Sequence, residues 1–327
     1  MENWSYFNLE ELKPLASVKR FDDNKGNRFY YFVDGDEVII ASGVTSVLSL
    51  VSTERFAIDK WKEDNPDWQH ILKVSSEYGT LLHEVFGDIM LGKGISINKL
   101  EAMQTLAYEN GQGIDMPRKD VLAFIKFCED TNLKPLIIEG VLAWKDPQGN
   151  YLAMTIDLLA EATVQIKTKE IVQDGFYVKG EKKGTPKMVE VTKTEDIKKV
   201  ILIDFKSNFF EKDKKTFYES HVLQLLAARL AVEQNFKIKV DEVYNWSPNN
   251  WRDEPTYTFK KHDIDNRTFE IFNAYWNLAK VKGFNRPIGK ILITKDFKNS
   301  SDFKYVNYAE YARQYLLGEV QETDQTG

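Results

Sequence analysis

Asp204 and Lys206 are the two residues whose types and spacing most directly suggest chemistry in this chain. They follow the short apolar run of residues 200–203, which predicts a strand in the middle of a sheet. Residues two apart on a strand project from the same face, so a carboxylate and an ammonium group would lie side by side. Burying both charges is costly unless each has a partner or a chemical task. The pair is therefore either a structural ion pair at a strand end or part of a catalytic site.

Asp157 is a second carboxylate in an apolar setting, within residues 153–160. Taken alone, it is also explained as an exposed position on an edge strand. If its strand lies beside that of Asp204, the two carboxylates share one face and repel each other unless a cation lies between them. Oxygen ligands with retained waters suit Mg²⁺, with Mn²⁺ as a substitute. The two acids together indicate a divalent metal site.

His83 belongs to the clearest helical pattern of the sequence, residues 76–91, which Gly92 follows as a stop signal. It stands beside the apolar stripe, where a histidine is commonly half-buried and hydrogen-bonded. The alternative is that it serves a functional site. Gly79, one turn earlier on the same side, favours this alternative because a glycine lets another backbone or a phosphate approach closely.

Four short motifs, on elements predicted as helix, strand, strand and helix, occur in a fixed order. They are Gly79-Thr80-Leu81-Leu82-His83, Met154-Thr155-Ile156-Asp157, Ile203-Asp204-Phe205-Lys206-Ser207 and Gln224-Leu225-Leu226-Ala227-Ala228. In this order they resemble the PD-(D/E)XK nucleases, and among them the RecB-like branch, which includes phage-type exonucleases and the mitochondrial genome maintenance exonuclease. The resemblance covers about residues 40–250. Met154 stands where that family usually has glycine, and Ala228 where it usually has tyrosine.

The resemblance implies roles for individual residues. Asp157, Asp204, His83 and the Phe205 backbone carbonyl would bind Mg²⁺. Lys206 would orient the attacking water or stabilise negative charge, and Gln224 would position Lys206 or the substrate. Glu139, on the preceding strand, is either a further acidic residue of the site or an exposed strand-end carboxylate. Contact with the substrate is expected of Gly79, Thr80, His221, Ser207 and Lys212.

A metal-dependent DNA exonuclease serving recombination, repair or end processing is the function that the resemblance implies. Exonuclease is favoured over a structure-specific endonuclease by family analogy alone. DNA, including single-stranded ends, would be the partner, together with a recombination or replication protein, and a phage source is expected. The alternatives are a DNA-binding relative without turnover and a globular protein whose carboxylates only form ion pairs.

The expected fold class is α/β (α+β): a restriction-endonuclease-like core with a central mixed sheet flanked by helices. Residues 1–75 would add strands and helices to a core of residues 76–260, which includes a turn at residues 146–150 and a strand at residues 240–246. Residues 261–327 would form a helical extension with a helix near residues 308–317 and a disordered tail. The polar stretch of residues 165–199 is predicted to be an extended hairpin or flap inserted in the core. This insert explains why 47 positions separate Asp157 from Asp204, provided that their strands pair.

Several surface features have two interpretations. The lysines at positions 182, 183, 212, 214 and 215 are either phosphate contacts or solvated loop residues. The aromatic run Tyr30-Tyr31-Phe32 either stacks on single-stranded bases or fills a core.

Composition excludes several classes of protein. There are 44 Lys and Arg against 50 Asp and Glu, so the net charge of −6 argues against a role that only coats nucleic acid. A single cysteine, Cys128, excludes a disulfide framework, a cysteine zinc site and a four-cysteine iron–sulfur cluster within one chain. No 18-residue apolar run and no signal-peptide pattern occurs, so we expect a soluble, cytoplasmic protein without a membrane anchor.

Overall fold

A mixed β-sheet flanked by helices forms the centre of the computed structural model, which describes residues 6–7, 18–22, 28–34, 37–49, 55–207, 217–282, 291–293 and 304–306. The helices found there are α1 Val44–Ser49, α2 Arg55–Asp64, α3 Trp68–Met90, α4 Ile97–Glu109, α5 Met116–Thr131, α6 Glu219–Phe236 and α7 Asn266–Val281. The strands are β1 Tyr6–Phe7, β2 Lys19–Asp22, β3 Arg28–Asp34, β4 Glu37–Gly43, β5 Lys134–Lys145, β6 Tyr151–Phe176, β7 Pro186–Phe205, β8 Glu242–Pro248, β9 Tyr257–His262, β10 Ile291–Ile293 and β11 Lys304–Val306.

The main sheet runs in the order β2-β3-β4-β6-β7-β8-β9, with β5 paired to β6 and β1 to β5. β4 with β6 and β7 with β8 are parallel pairs, and the other pairs of this sheet are antiparallel. β10 and β11 form a separate antiparallel pair. The predicted fold class is thus confirmed at the level of a mixed α/β fold with a central mixed sheet and flanking helices.

Strand β6 changes its partner part-way along one edge. β5 occupies one edge of β6 and pairs with it continuously from Tyr151 to Glu161, apart from one irregularity. On the opposite edge of β6, β4 pairs with Leu152 and Ala153, whereas β7 pairs from Leu158 onward. Residues 154–157 therefore lie between two ladders, and Asp157 is the last of them. Along residues 154–157, neither β4 nor β7 pairs with this edge of β6, so side chains can occupy the space beside it.

Beyond the core, β6 and β7 continue together as a two-stranded ribbon. Their ladder runs from Leu158 opposite Ile203 to Phe176 opposite Pro186, a length of roughly 60 Å at about 3.3 Å per residue. From residue 167 through residue 186 every side chain is exposed. The extended hairpin predicted for residues 165–199 is confirmed, and it consists of the ends of the two acid-bearing strands.

The two faces of the sheet carry different helices. On one face, α1, α6 and α7 cover residues such as Leu159, Leu202 and Val243. On the other, α3, α4 and α5 cover Leu158 and Ile203. Helix α3 forms because apolar residues recur at helical spacing, and it buries one stripe against the sheet. That stripe is Val74, Tyr78, Leu82, Val85 and Phe86. The helix begins at Trp68, eight residues before the predicted start.

The turn between β5 and β6 is anchored by Asp146, whose carboxylate accepts bonds on both oxygens. Oδ1 accepts from the backbone amides of Gln148 at 2.9 Å and Asn150 at 2.7 Å. Oδ2 accepts from Trp276 Nε1 at 2.9 Å and Lys280 Nζ at 3.0 Å. The first set is the turn chemistry that the sequence predicted, and the second fixes helix α7 against this end of the sheet.

Among the described helices, none has both the length and the apolar composition that a membrane crossing would require. The predicted helix near residues 308–317 and the predicted disordered tail lie outside the described residues.

Candidate metal centre

Asp157 and Asp204 occupy facing positions where the β6–β7 ladder stops. The register that pairs Leu158 with Ile203 places the preceding residue of β6 opposite the following residue of β7. Here the Asp157 side chain replaces a backbone partner, since its Oδ2 accepts from the Phe205 amide at 2.7 Å. The two acids also interact electrostatically. The antiparallel pairing predicted for their strands is therefore present, and it brings both carboxylates to one place.

His83 approaches this position from helix α3, next to Glu139 on β5. Its Nδ1 lies 2.8 Å from Glu139 Oε1 and 3.9 Å from Asp157 Oδ1. One donor atom from each of these three residues fits within 4.8 Å of the others. The interpretation of Glu139 as an exposed strand-end carboxylate is wrong, because its side chain is only 21 % exposed and is bonded to the imidazole.

The backbone of Glu139 is left-handed, with φ at 51° inside a strand. Such a conformation is unusual for a residue with a side chain and costs of order 1 kcal/mol or more. In this conformation the Glu139 carboxylate contacts His83.

Asp204 is held by two donors that do not belong to the group of His83, Glu139 and Asp157. Lys206 Nζ lies 2.8 Å from its Oδ2, and Asn245 Nδ2 lies 2.5 Å from the same atom. Asn245, on β8, is fully buried and paired in register with Asp204. The group of possible metal donors identified in the described part of the chain does not include Asp204. The role of Asp204 as a metal ligand remains a prediction.

The electrostatics of the cluster are dominated by negative charge. Burial alone would lower the pKa of His83, but Asp157, Glu139 and Asp204 outweigh it and raise the pKa to about 9. Burial raises the pKa of Asp157 to about 7, with Asp204 and Glu139 adding to the effect and His83 opposing it. Burial alone would lower the pKa of Lys206, but the charges of Asp204 and Asp157 outweigh this effect and raise the pKa. An excess of acidic groups in a desolvated place favours any cation that enters.

An aromatic cluster packs against the site. Phe205 lies between the two aspartate positions and the core, and its ring makes edge contacts with His83 at 5.5 Å and Phe86 at 5.4 Å. Trp246 and Phe124 pack on the same ring. The ring of Phe205 therefore supports the backbone of β7, on which Asp204 and Lys206 are carried.

Gln224, on α6, lies next to the two acids. A small cavity is lined by Asp157, Asp204 and Gln224 together with Met154 and Ala228, the two positions that depart from the family pattern. The small Ala228 side chain stands where a tyrosine would fill this space. His221, one turn before Gln224 on α6, accepts from the Tyr218 amide through Nδ1. Burial and the charge of Lys206 lower its pKa to about 4, which keeps the imidazole neutral.

The residues expected to contact substrate have varied surroundings. Gly79 lies beside Ser207, since a Cβ added at Gly79 would meet Ser207 Oγ at 3.7 Å, an ordinary contact. Thr80 is exposed, and its hydroxyl donates to the Ser76 carbonyl. Lys212 lies outside the described residues, as do the lysines at positions 214 and 215.

The aromatic run of the first hairpin does not contribute to a surface. Tyr30, Tyr31 and Phe32 are between 1 % and 3 % exposed, so of their two interpretations the core role is confirmed and the base-stacking role is wrong.

Asn245 is the residue that sequence reasoning missed. It lies in a strand correctly predicted near residues 240–246, but its role depends on β8 pairing in register with β7, which no local pattern reveals. A buried polar residue within an apolar strand was the available signal.

His83, Glu139 and Asp157 are of the residue types that bind divalent cations. Two carboxylates and one imidazole converge within 4.8 Å, and such oxygen and nitrogen ligands suit the divalent ions of the first transition series as well as Mg²⁺. No family model matches the chain, and no curated protein does. The argument for function therefore rests on this site.

Proposed function

We propose that the chain is a divalent-metal-dependent DNA nuclease with a PD-(D/E)XK-type site on a restriction-endonuclease-like core. The observation that carries the proposal is the meeting of Asp157 and Asp204 at the end of one ladder, with Lys206 bonded to Asp204. The acids come from two strands joined by a 20-residue exposed ribbon end, and sequence spacing alone would not bring them together. A purely structural ion pair of Asp204 and Lys206 would not require Asp157, Glu139 and His83 beside it.

The residues have separable roles in this proposal. Asp157, Glu139 and His83, with Asp204 and the Phe205 carbonyl, would hold Mg²⁺. A bound divalent ion of this kind lowers the pKa of a water ligand and offsets charge on a phosphate. Lys206 orients the attacking water and stabilises negative charge on the phosphate oxygens. Asn245 fixes the orientation of the Asp204 carboxylate.

Gln224 is the substrate-side contact of the proposed site. It lines the same small cavity as the two acids, and its amide can donate to a phosphate or accept from Lys206. The neutral state of His221 on the same helix suits a hydrogen bond to the DNA backbone. We further propose exonuclease action in recombination, repair or end processing, because the motif order resembles the RecB-like branch.

One assay tests activity, metal dependence and end dependence together. End-labelled linear DNA and closed circular DNA are incubated with the purified protein in Mg²⁺ or in EDTA. We expect degradation of the linear substrate only, and only with Mg²⁺. Cutting of the closed circle would instead identify an endonuclease.

Variants connect the activity with the site. Asp204→Ala and Lys206→Ala should abolish degradation, and Asp204→Ala should abolish Mn²⁺ binding measured by calorimetry. Glu181→Ala, an exposed acid at the tip of the ribbon, is the matched control and should behave like the unmodified chain. Undiminished degradation by Asp204→Ala and Lys206→Ala would show the catalytic assignment to be wrong.

A further inference from the structure

A second, larger cavity lies between the first turns of α6 and α7 and the end of β9. We call it the α6–α7 cavity. Its lining includes the cations Lys260 and Arg267, the carboxylates Glu219 and Asp265, and the rings of Phe217, Tyr218 and His262. None of these residues belongs to the metal centre, and none is used in the proposed mechanism.

The register of the sheet places this cavity beside the metal centre. Asp204 pairs with Asn245 on β8, and Asn245 pairs with Lys260 on β9. Paired residues share a face, so these three side chains form a row across three strands. Two strand spacings separate the first from the third, which is about 10 Å. His221 bridges the two places, because it interacts electrostatically with Asp204 and Lys206 on one side and with His262 on the other.

The cations of the cavity are available to a ligand. Lys260 and Arg267 form no salt bridge within the part of the chain that the structure describes, and Lys260 is exposed. Two carboxylates also line the cavity. Asp265 accepts from the backbone amide and the hydroxyl of Thr268, and these bonds together with the charge of Arg267 lower its pKa. Asp265 and Glu219 are therefore the opposing charges in the lining.

His262 carries the feature that points most directly to a ligand. Its Nε2 is buried and, in the described part of the molecule, has no hydrogen-bond partner. A buried polar atom without a partner costs free energy, so such an atom is expected to meet a water or a ligand. The ring of Phe217 stands edge-on to His262 at 6.0 Å, and Tyr218 beside it is 44 % exposed. The lining thus offers aromatic surface, cations and a hydrogen-bonding nitrogen together.

We propose that the α6–α7 cavity binds the nucleotide next to the one whose phosphate is cut. This inference rests on the proposed nuclease function and names a subsite of it. Lys260 and Arg267 contact the flanking phosphate, Phe217 and Tyr218 stack on its base, and His262 Nε2 bonds to the sugar or base. Guanidinium and ammonium groups are the usual phosphate ligands, and base–aromatic stacking tolerates every sequence. The row from Asp204 to Lys260 lets one DNA strand contact both places.

Binding of a fluorescein-labelled single-stranded DNA, measured by anisotropy in EDTA so that no cleavage occurs, tests this subsite. We expect the double variant K260A/R267A to weaken binding by about tenfold or more and to reduce the slope of log affinity against log salt by roughly 0.7 per lost phosphate contact. Phe217→Ala should weaken binding by about tenfold with an unchanged salt slope. Glu219→Gln should strengthen binding, because it removes one of the two opposing charges in the lining.

Two controls separate this idea from misfolding and from the metal centre. Lys239→Ala removes an exposed lysine beyond the other end of α6 and should leave affinity unchanged. Calorimetry should give the same Mn²⁺ affinity for K260A/R267A as for the unmodified chain. Unchanged DNA affinity and salt slope in K260A/R267A would overturn the proposed subsite. This holds even if the unmodified protein cleaves DNA with metal and Asp204→Ala does not. Absence of cleavage by the unmodified protein would overturn the proposed function instead.

Discussion

Asp157 faces Asp204 one position beyond the last backbone pair of the β6–β7 ladder, and its carboxylate accepts the amide hydrogen of Phe205. A side chain therefore completes the hydrogen bonding of the strand that carries the other acid. This arrangement couples the shape of the sheet to the position of both carboxylates. Changes at either residue should alter the candidate metal site and the local strand together.

Lys206 should be needed for cleavage but not for metal binding. Its ammonium group is bonded to Asp204 and is itself no ligand. We expect Lys206→Met to lower kcat by roughly a hundredfold or more, in the range found for groups that stabilise transition-state charge, while Mn²⁺ affinity is kept. Single-turnover kinetics and calorimetry measure the two quantities. Loss of Mn²⁺ binding in this variant would mean that Lys206 supports the site structurally.

At position 139, glycine should destabilise the fold less than alanine, which is the reverse of the usual order within a strand. Both Glu139→Gly and Glu139→Ala remove the carboxylate that contacts His83, and both should weaken Mn²⁺ binding. Only glycine accepts a φ of 51° without strain. We expect the glycine variant to be more stable than the alanine variant by about 1 kcal/mol, as measured by chemical denaturation. Greater stability of the alanine variant would show that the left-handed conformation is not kept.

Asn245 should act on the metal site through Asp204. Asn245→Leu keeps the branched shape of the side chain but removes the donor to the buried carboxylate. Partners of metal-site carboxylates typically contribute ten- to hundredfold in metal affinity, and we expect about this loss of Mn²⁺ affinity. The control is Asn235→Leu, which removes a buried amide that bonds the carbonyls of Ala143 and Ala231. It should reduce stability without changing metal affinity, and equal affinity losses in the two variants would contradict the positioning role.

Asp146 should make the fold sensitive to acid. Burial alone would raise the pKa of this carboxyl, but bonds from Asn150, Lys280 and Trp276 lower it from 3.8 to about 2. A lowered pKa stabilises the folded state above the ordinary value, and this contribution is lost as the pH falls from about 4 to about 2. It amounts to roughly 2 kcal/mol. Asp146→Asn should be less stable than the unmodified chain at pH 7, with a difference that shrinks toward pH 2.

Denaturation curves at several pH values measure this difference. A constant gap between the two proteins from pH 7 to pH 2 would contradict the role of the ionised carboxylate. The gap would then come from the geometry of the turn alone.

The sequence predicted the elements of the site better than the geometry between them. The strand before Asp204, the helix of His83 and the helix of Gln224 all followed from periodicity, because these elements bury one face or stripe. The pairing of β6 with β7 was predicted only on the condition that the insert formed a hairpin. Composition supported that condition through the polar, glycine-containing stretch between the strands.

The details that depend on neighbouring strands were not predictable. The left-handed backbone of Glu139 and the bond from Asn245 to Asp204 both arise from registers set by tertiary packing. Nor did any local pattern separate Tyr30 in the core from an aromatic residue on the surface. Alternation along a strand shows which residues share a face but not what covers that face.

The ribbon formed by β6 and β7 also has a consequence for how this protein can vary. Neither glycine nor proline occurs in residues 158–174 or 187–205, so no natural hinge separates the tip from the acids. Because the side chains of the outer part face water on both sides, removing one residue from each strand reverses their faces at no packing cost. The length of the ribbon is thus uncoupled from the geometry of the candidate site, and homologous chains can differ widely in it while Asp157 and Asp204 stay opposite one another.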